Sequence, residues 1–170
     1  TLTVDDQIGV SQICQLVDGL PLALELAASW TRLLTPKEIV REIEDGFEVL
    51  TTSFEDVPER HQSILAVFDY SWQTLSEKAQ TVFKSLSIFR GGFDRGAAKE
   101  VVGAGLTVLA ELVNKSFLKV SSEGRYSIHE LLRQYANEKL EMSMQVFEEV
   151  KDQHAAYYAD YVQKRQMPSH

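Results

Sequence analysis

Two short blocks carry the residues whose types and spacing can do chemistry: Gly19-Leu20-Pro21-Leu22-Ala23 and Ile128-His129-Glu130. Pro21 stands where a helix begins, a position at which its missing N–H costs nothing. Its ring and the neighbouring aliphatic groups make a flat apolar wall beside free backbone N–H groups. His129 stands where a hairpin-like stretch passes into the amphipathic run Leu131-Leu132-Arg133-Gln134-Tyr135-Ala136. A helix N-terminus concentrates N–H donors and positive potential, and an imidazole adds a further donor, which suits an anion. On local sequence alone, a structural helix-start proline and a surface histidine are the simpler readings of the same residues.

The other reactive side chains point away from catalysis. His61 and His154 fall on helix faces with no Cys, His or carboxylate at ligand spacing, so no metal site is expected. Glu44-Asp45 and Glu148-Glu149 are sequence neighbours; along a helix such pairs point in different directions and read as solvated faces. Cys14 has no evident base partner. No G-x-x-x-x-G-K-[ST] occurs, and Gly91-Gly92 and Gly103-Ala104-Gly105 lack the lysine and flanking strand of a phosphate loop. Neither a catalytic residue nor a metal ligand is expected, and the chain is read as a non-enzyme.

Composition narrows the class further. A chain of 170 residues, 44% hydrophobic and 25% charged, suits one or two small globular domains. A net charge of −8 argues against a general affinity for nucleic acid or anionic membrane. No run approaches the ~18–20 apolar residues of a membrane span, and no signal peptide opens the sequence. With a single cysteine there is no disulfide framework, so a cytoplasmic location is expected. The sequence opens at Thr1 in helical pattern without an initiator Met, which reads as an excised piece.

The elements that must position these residues are mainly helical. Asp5 or Asp6 is expected to cap a helix with Ile8, Ile13, Leu16 and Val17 inward, ending at Gly19. A second helix, apolar on most sides, runs from Pro21 to about Leu34, and Thr35-Pro36 starts a third that buries Ile39, Val40 and Ile43. Thr51-Thr52-Ser53 through Pro58 reads as a linker, with a boundary near Val57. Beyond it the pattern predicts a helix at 59–72 with Ile64, Leu65, Phe68 and Trp72 on one face. A second helix is expected to be capped by Ser76, and a short one by Asp94 after the turn Arg90-Gly91-Gly92-Phe93. A helix at 108–115 then leads into strands around Ser122-Glu123-Gly124, and a helix from His129 to about Met142 follows. The expected fold is a helical bundle (1–57), a winged-helix domain with a small β-hairpin (58–143) and a C-terminal linker helix (144–170) that can open a helical repeat region.

In this order, Gly19-Leu20-Pro21-Leu22-Ala23 and Ile128-His129-Glu130 resemble the GLPLA and MHD motifs of the STAND nucleotide switches, which include NB-ARC proteins. The stretches GLPLALELAA, RHQSILAVFDYSWQTLSEKAQTVFKSLSIFRGGFD and LAELVNKSFLKV with RYSIHELLRQYANEKL look like the helical and winged-helix segments of bacterial AfsR- and LuxR-type transcriptional regulators. The resemblance covers nearly the whole chain. It implies an upstream P-loop domain that holds ADP or ATP with Mg, in a full-length protein that is a slow ATPase. It implies too that Gly19, Leu20 and Pro21 lie against the adenine and that His129 meets the β-phosphate of ADP in the resting state. Ile128 and Glu130 depart from the motif's Met and Asp. Implied partners are the upstream P-loop domain, a downstream sensor or repeat region, and further copies of the chain on activation. Tight nucleotide binding by this piece alone is not expected, nor are nucleic-acid or membrane partners.

Two alternatives stand beside that reading. A winged helix can itself bind DNA, but the helix before the hairpin and its wing offer few basic residues (Lys115, Lys119, Arg125) against Glu111 and Glu123. The chain can also be a helical adaptor with no nucleotide role.

Overall fold

A computed structural model describes the backbone of residues 1–53 and 59–166 and the side chains of residues 1–45 and 65–166. The chain divides into two compact units, Thr1–Leu75 and Ser76–His170. The described residues are mostly helical, with a single two-stranded antiparallel hairpin among them.

The first unit holds α1 (Val4–Leu16), α2 (Pro21–Ser29), a 3-10 turn at Trp30–Arg32, α3 (Pro36–Ser53) and α4 (Glu59–Gln73). Thr3, rather than Asp5 or Asp6, caps α1. Its hydroxyl accepts the Asp6 amide at 3.1 Å, while the Asp6 carboxylate accepts the Thr3 amide at 3.0 Å. A short hydroxyl before the helix reaches the third amide, and the acid at that third position closes the reciprocal bond. Thr35 and Glu38 repeat the arrangement at α3. At Gly9 an added Cβ would stand 2.8 Å from the Pro36 side chain, so only glycine lets α1 approach the start of α3 this closely.

Several expectations shift here. Ile8 is 53% exposed, and the core of α1 is Ile13 with Val17 just beyond it. The second helix stops at Ser29, where the Ser29 and Thr31 hydroxyls donate to the carbonyls of Leu26 and Ala28 and the chain tightens, leaving Leu33 exposed. Thr51-Thr52-Ser53, expected as linker, continues α3. Val57, the expected boundary, lies outside the described residues. α4 packs on α3 and α2 within the first unit, burying Ala66, Val67, Phe68 and Ser71, with Trp72 half-buried. The Trp30 indole N–H donates to the buried Ser71 hydroxyl at 3.0 Å, and its ring lies 4.5 Å from that of Tyr70. A tryptophan that needs a polar partner when buried ties α4 to the first helices.

The second unit runs α5 (Glu77–Leu86), α6 (Arg95–Val102), α7 (Leu106–Asn114), β1 (Lys119–Val120), β2 (Tyr126–Ser127), α8 (Glu130–Glu141) and α9 (Met144–Gln166). Ser76 and Asp94 cap α5 and α6 as their sequence predicts, accepting the amides of Ala79 and Ala97. Lys119 pairs with Ser127 and Val120 with Tyr126. Phe93, expected within a turn, forms a third extended rung: its amide and carbonyl both bond Tyr126, at 2.9 and 2.8 Å. Helix, extended rung, two helices and a hairpin is winged-helix order. The hairpin is held by this packing rather than by its own few bonds. Phe83 meets Phe117 edge-on at 4.9 Å above a core of Leu86, Leu109, Leu112, Leu118, Leu132 and Leu140.

The C-terminal helix α9, expected as a linker, packs on α6, α8 and α5. Val150, His154 and Tyr158 recur every fourth residue along one face, and His154 stands edge-on to Phe89 at 5.1 Å. That face finds an aromatic wall, which makes α9 part of the second unit.

Candidate functional site

The candidate residues fall in both units. In the first, α1 ends at Leu16 with Val17 as its C-cap, and Asp18 (φ 53°) and Gly19 (φ 66°) take successive left-handed conformations. The Gly19 amide donates to the Cys14 carbonyl at 2.9 Å and the Asp18 amide to that of Gln15, closing the end of α1. A Cβ at Gly19 would meet nothing within 4 Å, so the backbone conformation, not space, calls for glycine. Leu20 then turns extended as the N-cap of α2, with Pro21 as the first helical residue and no side-chain cap. Leu22, Ala23 and Leu26 are buried and hold the helix, while Gly19 and Pro21 are exposed and Leu20 is half-buried. Gly19, Leu20 and Pro21 thus form one uncharged ridge at a helix start without a side-chain acceptor. Such a ridge suits a flat apolar group with a polar edge.

His129 belongs to the second unit and is the N-cap of α8, with extended backbone (φ −60°, ψ 138°). Its exposed ring accepts the Leu131 amide at Nδ1, 3.2 Å away. A ring nitrogen that accepts carries no proton, so in the neutral ring the N–H sits at Nε2. The imidazole accepts one helix-start amide at Nδ1 and keeps one donor of its own, at Nε2. Cap and donor are the same residue.

The next residues of α8 form a hydrogen-bonded set of their own. Arg133 donates from Nε and Nη2 to the two Glu130 carboxylate oxygens at 3.0 and 2.8 Å, and from Nη1 to the Ser87 carbonyl at 3.2 Å. Gln134 adds a longer bond to Glu130 at 3.3 Å. The Arg133 hydrogen bonds, more than any other cause, hold the Glu130 carboxyl down to about 2, with the Arg90 charge a smaller contribution. Ser87 is fully buried at the end of α5, and its hydroxyl donates to the Lys84 carbonyl. Arg133 and Ser87 were not legible as site residues; the only local signal is the Glu–Arg spacing of three along a helix.

The remaining candidates stay apart from these features. Cys14 is half-buried and lines an apolar cavity of about 250 Å³ with Val10, Ile13, Leu24, Ala27 and Ile39. Burial lowers the His154 pKa, while the His61 side chain lies outside the described residues. Glu44, Asp45, Glu148 and Glu149 are exposed. Among the described residues no group of three or more His, Cys, Asp and Glu gathers at metal-binding distance, and no helix is long and apolar enough to cross a membrane.

The helix that a winged helix would lay on DNA is α7, joined to α6 through Gly103-Ala104-Gly105. Its outward residues are Leu106, Thr107, Ala110 and Asn114, with no Lys or Arg inside the helix. Glu111 is occupied structurally: its carboxylate accepts the Ser76 amide and hydroxyl at 2.9 Å each, and Lys115 lies 3.7 Å away.

No family model matches the chain, and no solved structure does. The chain is 33% identical over 168 residues to a Mycobacterium tuberculosis (strain ATCC 25618 / H37Rv) protein named "Putative HTH-type transcriptional regulator". That alignment takes in 93% of this chain and 19% of the relative, and a Mycobacterium bovis protein of the same name matches identically. A second M. tuberculosis protein, named "Uncharacterized protein", is 35% identical over 154 residues, covering 84% of this chain and 39% of its own length. The chain therefore spans about a fifth of the length of the first relatives and about two fifths of the second.

Proposed function

We propose that this chain is the switch portion of a transcription regulator controlled by bound nucleotide, closing over ADP or ATP held by a P-loop domain elsewhere in a longer polypeptide. The observation that carries the reading is the exposed imidazole at the start of α8, which caps the helix through Nδ1 and so leaves Nε2–H as its donor. Support comes also from the exposed Gly19-Leu20-Pro21 ridge and from relatives named as transcriptional regulators, of which this chain matches a small part.

The chemistry of each helix start, taken by itself, supports the nucleotide reading. His129 and the first-turn amides of α8 offer donors to a phosphate, and the Gly19–Pro21 ridge offers an apolar wall to a base. Bound nucleotide supplies a phosphate charge and bulk that differ between diphosphate and triphosphate. A donor that meets one state better than the other biases the closed form against the open one. The chain's part is binding and relay, with hydrolysis assigned to the P-loop domain and its Mg.

Calorimetry with ADP tests this, comparing the 170-residue chain with a longer form that includes the P-loop region. Binding in the longer form alone, weakened about tenfold by His129→Ala, is the expected result, since a charge-assisted hydrogen bond contributes on that order. ADP binding that ignores His129→Ala would remove the switch role and leave a helical adaptor.

A second reading, direct DNA binding, is favoured by the α6–turn–α7 order and by the names of the relatives. The uncharged outer face of α7 opposes it. A salt-sensitive shift with duplex DNA at low ionic strength would restore it.

A further inference from the structure

We propose that Arg133 is a positioning residue for the His129 contact: it keeps the Glu130 carboxylate drawn along α8, away from the face that His129 presents to an anion. This rests on the nucleotide reading above. Glu130 is the first residue of α8, immediately after the histidine cap, where a free carboxylate would have two nearby uses. It would accept first-turn amides or the imidazole N–H, and its charge would repel a phosphate at the same spot. The carboxylate turns the other way: both of its oxygens accept from Arg133 one turn further on, and one of them also accepts from Gln134.

A surface ion pair is ordinarily mobile. This one is anchored from the arginine side: the Arg133 side chain is only 12% exposed, against 59% for Glu130, and its third bond reaches the Ser87 carbonyl at the end of α5. A planar guanidinium can hold both acceptors at once in fixed geometry, which a lysine cannot. The pairing also gives glutamate a reason at this position. Its extra methylene spans the three-residue step to Arg133, so the negative charge beside His129 is matched while the helix-start amides stay available.

Two measurements test the assignment. In the chain itself, a carboxyl NMR titration of Glu130 is expected to have its midpoint at about 2, moving up toward the ordinary 4.5 in Arg133→Met. In the longer form, Arg133→Met is expected to weaken ADP binding about tenfold through the uncovered charge. The double variant Glu130→Gln/Arg133→Met should recover to within about threefold of the parent, since the charge to be matched is gone. A double variant as weak as Arg133→Met would make Arg133 a purely structural residue and overturn the proposal, as would a Glu130 that titrates normally in the parent chain. A parent that binds no ADP, with the Glu130 titration still depressed, would instead sink the nucleotide reading and take this inference with it.

Discussion

The starts of α2 and α8 solve the same problem in opposite ways. Each must dispose of backbone amides that have no partner within the helix. At α2 the chain removes one donor by placing Pro21 first and supplies no side-chain acceptor, leaving an apolar, uncharged edge. At α8 an imidazole accepts one amide, and the acid beside it is bound to an arginine whose far end is fastened to the buried Ser87. The first start is suited to shape and apolar contact; the second is an ordered polar array. Burial alone would not distinguish them, since Pro21 and His129 are both exposed.

The largest expected effects test the supports beneath the two starts. Trp30→Ala in the first unit loses an indole hydrogen bond and a ring contact, and Phe83→Ala in the second loses its packing on Phe117. Each should cost about 3–5 kcal/mol in urea unfolding. If either cost under 1 kcal/mol, the corresponding start would not depend on its core.

Substitutions at the starts themselves should cost less and for different reasons. His129→Ala removes a cap and is expected to cost about 0.5–2 kcal/mol. Gly19→Ala forces a Cβ into a left-handed conformation and should cost about 1–2 kcal/mol although no atom obstructs it. His129→Asn, which keeps a capping oxygen, should restore stability without restoring nucleotide contact; Gly19→Asn should soften the strain, because asparagine tolerates the left-handed region. Thermal unfolding of the four variants separates capping from backbone strain.

Acid should affect the α8 start next. The folded-state pKa of Glu130 is depressed to about 2 from an ordinary 4.5, so its contribution is complete above about 4.5 and is lost as pH falls toward about 2. Glu130→Gln should reduce the fall of stability with pH across that window, leaving the part that Asp6, Glu38 and Glu111 contribute. The smallest effect concerns α9. Burial lowers the His154 pKa below the ordinary 6.5, so the neutral ring is favoured in the packed state. Its contribution is complete above 6.5 and falls as pH drops below it, and amide exchange in α9 should quicken accordingly. His154→Phe should abolish that dependence.

Much of the architecture was legible because local physics dictates it. Ser76 and Asp94 announced their helices as caps, the run from His129 to Met142 became α8 with those residues as its caps, and Ser122-Glu123-Gly124 marked the hairpin turn. Each depends on bonds between residues close in sequence. The extra rung at Phe93 was not legible, since one residue leaves no periodicity, and the helical extension of α3 through Thr51-Thr52-Ser53 ran against residue preference.

The candidate site divides in the same way. The sequence by itself determined a proline-led helix start following a glycine that closes the helix before it, and a histidine at the head of a second helix. Chain chemistry over four or five residues suffices for both. Only the tertiary structure decided that α4 belongs with the first helices through the Trp30–Ser71 bond, that α9 belongs with the second unit through Phe89, and that Arg133 reaches Ser87. Those contacts join residues far apart in the chain, and their energy depends on what the rest of the fold brings within reach.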